Sequence, residues 1–354
     1  MKKITLIANF PFPYRVPLIN EVAKRIGAGF EAVYTDPLVP GHDWGTGGLD
    51  HPHTFLGTEE ISSRSFGIAL LLVKHLRRTR PETVVIYGAT LPMLAAFAWA
   101  VVTRQKRIYF TDSWGYSYSR LSPFRKMLRF FIFRGFHRYI VIGTNGRQHL
   151  IDHGIDPKNI EMVRIPLPEY REESSPQKKY DLIFAGRFIS AKMPMFFLEI
   201  VRELSKELPI KAVMAGSGPL ESKIKDHINN HHLSVDLPGY ISREELMKLY
   251  TTSKILLFPT EDDVWGMSAQ EALNCGTPVV ATPFCGIIND LLIDGHNGFI
   301  LPPELNLWME KIDLMLTNPE MFQTFSQNAR DSQSSFSLTS ESEKFANFIS
   351  EIQK

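Results

Sequence analysis

The chain has 354 residues, 44% of them hydrophobic and 22% charged, with a net charge of +1 at neutral pH. That length accommodates two domains with separate cores, and that composition excludes a disordered, collagen-like or disulfide-built protein. The small net charge hides an asymmetry: residues 1–170 carry 22 Lys/Arg against 13 Asp/Glu, and residues 171–354 carry 17 against 25.

Apolar, strand-like runs alternate with helical segments along the whole chain. The first half offers strands at Lys3–Ala8, Phe30–Tyr34, Thr83–Tyr87, Arg107–Phe110, Tyr139–Ile142 and Met162–Ile165, with helices near 16–26, 61–79, 92–103, 123–136 and 145–153. The opening Met1-Lys2-Lys3 precedes too short an apolar run for a signal peptide and reads as a first buried strand. Val84–Val102 holds 19 residues without a charge, the length of a membrane span. However, Gly88-Ala-Thr-Leu-Pro92 divides it into a strand and a helix start. A polar stretch, Glu169–Lys179, reads as a linker, after which the pattern restarts. Strands are expected at Tyr180–Gly186, Ile210–Gly216, Val235–Leu237, Ile255–Phe258, Pro278–Thr282 and Gly298–Leu301, with a last helix at about Leu338–Ile352. Such alternation implies parallel sheets covered by helices. The expected division is an N-terminal Rossmann-like domain over 1–170, a linker over 171–179, a C-terminal Rossmann-like domain over 180–337, and a helix over 338–354 packing back on the first domain.

Residues 259–280 carry the densest chemistry. They join the end of a buried strand to an acidic turn, a lone Gly266, a short helix and a further strand. This order gathers backbone N–H groups at a helix start, where an anion is favoured. The carboxylates of Asp263 and Glu271 flank that turn, one for each end of a ligand with an anionic middle. A sugar nucleotide has that layout. Arg187 and Lys192, in Ala185-Gly-Arg-Phe-Ile-Ser-Ala-Lys192, are spaced to neutralise a diphosphate and a departing nucleotide. Gly216-Ser-Gly218 ends a strand but is an incomplete dinucleotide fingerprint, because Glu221 stands at the third glycine position.

Taken in order, these motifs make the chain resemble the retaining GT-B glycosyltransferases, specifically glycosyltransferase family 4 (glycosyl transferases group 1). The resemblance covers most of residues 175–300 and, by strand order, residues 1–170. That family's paired-Glu signature is followed by a small-residue strand; here Asp263 replaces the first Glu, Glu271 is the second, and the strand is Cys275-Gly-Thr-Pro-Val-Val280. Met193 stands where a glycine often follows the lysine. The resemblance implies an α/β, GT-B fold: two doubly wound Rossmann-like domains facing an interdomain cleft. It implies that Glu271 binds the ribose, that Asp263 binds the donor sugar, and that the backbone at Gly266, Met267 and Ser268 cradles the phosphates. Gly216 belongs to the glycine-rich strand end, while Gly239 and Tyr240, in Leu237-Pro-Gly-Tyr240, would lie beside the base. Asp263, Arg187, Lys192 and Asp112 are the candidates for catalysis.

In the first domain, Asp112 or Ser113 stands where many relatives have an acidic residue followed by His, so either takes the acceptor side; a capped turn at Asp112 is the structural alternative. Arg15, at the start of a helix, would contact acceptor or donor phosphate, or else is a plain surface arginine. No metal and no cofactor are expected beyond a UDP- or GDP-sugar donor, the Arg/Lys pair standing in for a divalent ion. The implied activity is metal-independent, retaining transfer of a sugar to a glycan or lipid-linked glycan, in surface polysaccharide assembly. A sugar-nucleotide epimerase and a non-catalytic docking subunit are the alternatives.

Residues 120–138 combine basic and aromatic side chains, which fits either a helix lying on an anionic membrane or a core helix with a cationic stripe. His149 and His153 have metal-compatible spacing without a third ligand, and read as a solvated helix face. Cys275 and Cys285 form no disulfide framework, so the expected compartment is a reducing cytosol, with contact at the inner face of the membrane. No nucleic-acid module accompanies the basic charge.

Overall fold

The computed structural model describes residues 3–37, 48–57, 66–168, 170 and 177–352. The chain forms two compact units, Met1–Pro166 together with Phe336–Lys354, and Leu167–Ser335. The first unit begins with β1 (Ile4–Ala8), buried at all five positions as a strand covered on both faces must be. In order follow α1 (Val16–Ile26), β2 (Phe30–Tyr34), β3 (His53–Phe55), α2 (Phe66–Thr79), β4 (Thr83–Tyr87), α3 (Leu91–Val102), β5 (Lys106–Thr111), α4 (Gly115–Ser119), α5 (Pro123–Arg134), β6 (Arg138–Ile142), α6 (Gly143–Asp152) and β7 (Ile160–Val163).

Its seven-stranded parallel sheet has the order β3-β2-β1-β4-β5-β6-β7. Right-handed crossovers then put α2, α3 and α5, which all step the same way along the sheet, on one face. Trp99, Tyr109, Phe133 and Tyr139 fill the core beneath them. α3 carries no charge and buries one face through Pro92, Met93, Ala96, Trp99 and Ala100, and no described helix is long and apolar enough to cross a membrane.

The second unit comprises β8 (Tyr180–Ala185), α7 (Pro194–Leu204), β9 (Ala212–Ala215), α8 (Glu221–Asn230), β10 (Val235–Gly239), α9 (Arg243–Thr251), β11 (Ser253–Phe258), α10 (Met267–Asn274), β12 (Val279–Ala281), β13 (Gly298–Ile300), α11 (Leu305–Thr317) and α12 (Pro319–Asp331). Its six parallel strands run β10-β9-β8-β11-β12-β13, the doubly wound order in which the direction of winding reverses between the first and fourth strands. The chain then returns to the first unit as α13 (Leu338–Glu351), which packs on α1 and β7. There the fully buried Glu341 carboxylate accepts from the Arg164 N–H at 2.8 Å and from Lys344 at 2.6 Å.

The fold class is therefore the expected one. β3 and α4 escaped the sequence reading, and β7 lies two residues earlier than expected. Part of the expected helix, 61–65, and part of the linker, 171–176, lie outside the described residues.

Candidate functional site

In a doubly wound sheet, ligands meet the carboxyl ends of strands where the winding reverses, because the two outgoing loops diverge there and leave a crevice. In the second unit that point lies between β8 and β11, paired in parallel through Leu182 with Ile255. Both charged motifs leave from it: β8 runs into Gly186-Arg187, and β11 runs into the acidic turn. The Ala191 carbonyl ties the two loops, accepting from the Glu261 N–H at 2.9 Å and the Thr260 hydroxyl at 3.0 Å. Thr260 is itself held by Thr282 at the end of β12, through contacts of 2.6 and 3.1 Å.

Across this tie Lys192 Nζ donates to Asp263 Oδ2 at 2.5 Å, with the two side chains only 17% and 19% exposed. The aspartate is fixed from behind, since its N–H donates to the Phe284 carbonyl at 2.9 Å and its Oδ1 accepts from the Trp265 N–H at 3.1 Å. Cys285 is buried beside it; burial first, and then the Asp263 charge, pushes that thiol well above its usual range. Lys192 closes a short turn whose next residue, Met193, adopts φ 47° and ψ 45° before Pro194 opens α7. That is the left-handed region glycine favours, and glycine is the residue that the family resemblance puts at this place.

Gly266 also sits left-handed, at φ 106°, at the start of α10, and no side chain caps the helix. A Cβ there would lie 3.3 Å from both Ile287 and Phe258. The N–H groups of the first turn, from Met267 and Ser268 onward, thus have no capping acceptor, and the positive end of the helix dipole adds to their attraction for an anion.

One turn on, Glu271 is 15% exposed and lies 3.5 Å from Arg243 Nε at the start of α9. Burial raises its pKa to about 7, with Arg243 only partly offsetting the effect. Beneath it the Tyr250 phenol is fully buried, and burial followed by the Glu271 charge keeps it neutral. The next side chain, Gln270, is locked by Trp265 Nε1 at 2.7 Å and by Gln333 at 3.1 Å. The sequence reading missed Arg243, whose signal is its place just after the Ser242 cap of a capping box.

Arg187 is exposed, and its guanidinium has no partner among the described residues. The glycines around it serve close backbone approach. A Cβ on Gly216 would stand 2.0 Å from the Gly186 carbonyl oxygen, and one on Gly218 would stand 2.7 Å from that of Phe188. The loops after β8, β9 and β10 are laced together by Gly186 N–H to Ala215 (3.0 Å), Phe188 N–H to Ser217 (2.8 Å) and Gly216 N–H to Gly239 (2.8 Å). Gly239 has φ 76°, and the following Tyr240 ring is 61% exposed.

The corresponding reversal in the first unit lies between β1 and β4. Here Arg15 and Asp112 meet each other. Arg15 Nη2 and the Tyr87 hydroxyl both donate to Asp112 Oδ2 at 2.6 Å, and the guanidinium lies 4.2 Å from the centre of the Tyr87 ring. Arg15 is 7% exposed, enclosed by Phe12, Tyr14 and Phe110 as well. The alternative of a plain surface arginine is revised: Arg15 is buried and paired through Nη2 with Asp112, while its Nε has no hydrogen-bond partner among the described residues. The histidine reading is corrected too. His149 is a buried residue, because Tyr118 and Phe133 cover it at ring distances of 4.8 and 6.4 Å.

Two Rossmann-like units in one chain, together with the likeness to solved glycosyltransferases given below, make the fold class GT-B. Residues 168–332, nearly the whole of the second unit, match the model of the family Glycosyl transferases group 1. An uncharacterised glycosyltransferase of Methanocaldococcus jannaschii is 29% identical over 157 residues, covering 43% of this chain and 44% of the relative. A Campylobacter jejuni enzyme named as a GalNAc-alpha-(1->4)-GalNAc-alpha-(1->3)-diNAcBac-PP-undecaprenol alpha-1,4-N-acetyl-D-galactosaminyltransferase is 23% identical over 184 residues, covering 51% of each. The chain spans about half the length of the curated relatives it matches. Among solved structures, HepE of Anabaena in complex with UDP and glucose superposes with a TM-score of 0.76 at 14% identity, over 99% of this chain and 100% of that one.

Proposed function

We propose that the chain is a retaining glycosyltransferase that binds a UDP- or GDP-sugar at the β8/β11 strand ends of the second unit. It passes a hexose-type residue to a glycan or lipid-linked glycan in surface polysaccharide assembly. The observation that carries this reading is the meeting of Lys192, Asp263 and the uncapped start of α10 at one point of the sheet.

Without ligand, Lys192 and Asp263 neutralise each other. A diphosphate draws Lys192, the exposed Arg187 and the Gly266–Ser268 backbone, while a sugar hydroxyl donates to Asp263. The same two cations take up the negative charge that develops on the leaving nucleotide, with no resident divalent ion. Glu271 accepts from the ribose hydroxyls, and Tyr240 stacks on the base. On the acceptor side, Asp112 acts through Oδ1, and Arg15 becomes the group that positions it. HepE in complex with UDP and glucose, and the C. jejuni relative named for an undecaprenol-linked saccharide, support the choice of donor and acceptor.

The outer face of α5 supports the membrane part of the reading. Phe124, Met127 and Phe131 form an exposed apolar stripe at helical spacing, accompanied by Lys126, Arg129 and Arg134. Sedimentation with anionic liposomes at low salt tests this, and absence of binding removes it.

For the activity, UDP, GDP and ADP are titrated by calorimetry, and donor sugars are then followed by NMR of the anomeric proton in EDTA. Binding of UDP or GDP, weakened in Lys192→Ala, with an axial product from an axial donor, is expected. Binding of none of the three nucleotides sinks the proposal.

A further inference from the structure

The first unit holds a second concave surface at the opposite end of its sheet from Asp112. It is a groove of about 740 Å³ between the C-terminal halves of α2 and α3, within the size range of small-molecule sites. Alanines carve it: Ala95 and Ala98 face the trough from α3, and their short side chains leave a channel floored by Trp99. Val73 forms the opposite wall, and Val102, 82% exposed, stands at the lower end. With Val101, 44% exposed, beside it, the apolar surface continues from the channel to the end of α3.

That same end is cationic. Arg77 and Arg80 line it, and Arg104 sits between two further lining residues, Thr103 and Gln105. None of the three has an ion-pair partner among the described residues. Residues 66–107 contain seven Lys/Arg and a single acidic residue, Glu82, so no carboxylate from the two helices balances them. Arg80 and Arg104 also occupy left-handed positions just past the ends of their helices, at φ 48° and 59°. Glycine or asparagine fits such positions without backbone cost. At α2 the helix dipole already has Arg77 and Arg78 in the last turn, so Arg80 adds charge there at a left-handed position.

We propose that this groove binds one anionic amphiphile, with its phosphate head on Arg77 and Arg80 and its hydrocarbon chain along the Ala95/Ala98 trough over Trp99. Charge complementarity selects the phosphate, and the apolar channel selects the chain. Because α2 and α3 descend toward the strand starts, this site is separate from the groups at the carboxyl ends of the strands. It would tether the first unit to a phospholipid of an anionic leaflet, independently of whether α5 contacts that leaflet and of whether the second unit binds nucleotide.

The test uses the full chain and monomeric dodecyl phosphate below its critical micelle concentration, titrated by calorimetry. Inorganic phosphate and dodecyl maltoside run in parallel as head-only and chain-only probes. One saturable site for dodecyl phosphate is expected, at least ~10-fold tighter than for either control. Ala98→Phe, which fills the trough, and the double variant Arg77→Ser/Arg80→Ser should each weaken it by ~10-fold or more. All these side chains are exposed, so both variants are expected to keep the wild-type melting temperature, which is measured alongside. Equal binding of inorganic phosphate with no effect of Ala98→Phe overturns the proposal in favour of a plain anion patch. Equal binding of dodecyl maltoside with no effect of the arginine changes overturns it in favour of unspecific apolar contact. No binding of dodecyl phosphate to the folded wild type ends it outright.

Discussion

Glu271 provides the sharpest test of the nucleotide site, because its burial makes a signed prediction. Its pKa is raised from 4.5 to about 7, mainly by burial. A displacement of that size corresponds to about 3 kcal/mol between the protonated and ionised forms. The folded pKa exceeds the unfolded one, so the stabilising contribution is present in full below about pH 4.5. It is lost as the pH climbs through about 7. At pH 8 the free protein therefore holds an ionised carboxylate against its environment, and two ribose hydroxyls donating to it would relieve that.

If binding requires the ionised form, affinity for a nucleoside diphosphate falls roughly tenfold between pH 8 and pH 6. The ligand's terminal phosphate also titrates near pH 6, so the informative quantity is the ratio of wild type to Glu271→Gln. Calorimetry of UDP or GDP at pH 6, 7 and 8 should show that ratio changing about tenfold. In the absence of nucleotide, Glu271→Gln should raise the melting temperature at pH 8 by several degrees, since about 1 kcal/mol moves a unit of this size by about 2–4 °C. Parallel pH slopes for the two proteins, or a lower melting temperature for the variant at pH 8, refute the assignment.

Three further outcomes are expected. Lys192→Ala and Glu271→Ala each reduce turnover of the donor by ~10²-fold or more in a nucleotide-release assay, the effect of losing one aligned electrostatic partner. Gly216→Ala, with its Cβ forced to 2.0 Å from the Gly186 carbonyl, should cost about 3 kcal/mol or more in urea unfolding; a loss under about 1 kcal/mol contradicts the packing described. Met193→Gly should hold stability or raise it by up to ~1 kcal/mol, relief of left-handed strain outweighing the added chain entropy, whereas Met193→Val should lower it by at least ~1 kcal/mol.

The alternation of strands and helices was legible because parallel strands buried on both faces leave uninterrupted apolar runs, as at residues 84–87 and 255–258. β3 was not legible: His53-Thr54-Phe55 is a three-residue edge strand whose side chains stay partly exposed, so neither length nor pattern marks it. The charged residues of the candidate site could be picked out by motif, but not their partners. Lys192 meets Asp263 71 positions away, and Arg15 meets Asp112 97 positions away. Such pairs are set by which loops the sheet order brings together, and local sequence carries no trace of that. Met193 was visible as a departure from glycine, yet only the backbone angles show that the turn keeps the glycine conformation.

The return of α13 to the first unit sets a timetable for synthesis. The second unit is fully translated once residue 335 has emerged, while the first still lacks the helix that covers α1 and β7. The ribosome thus completes the two units in the reverse of the order in which it begins them, and the nascent first unit needs shelter for its uncovered face throughout that wait. A stop codon just after residue 335 would remove α13 from the first unit while leaving every element of the second encoded.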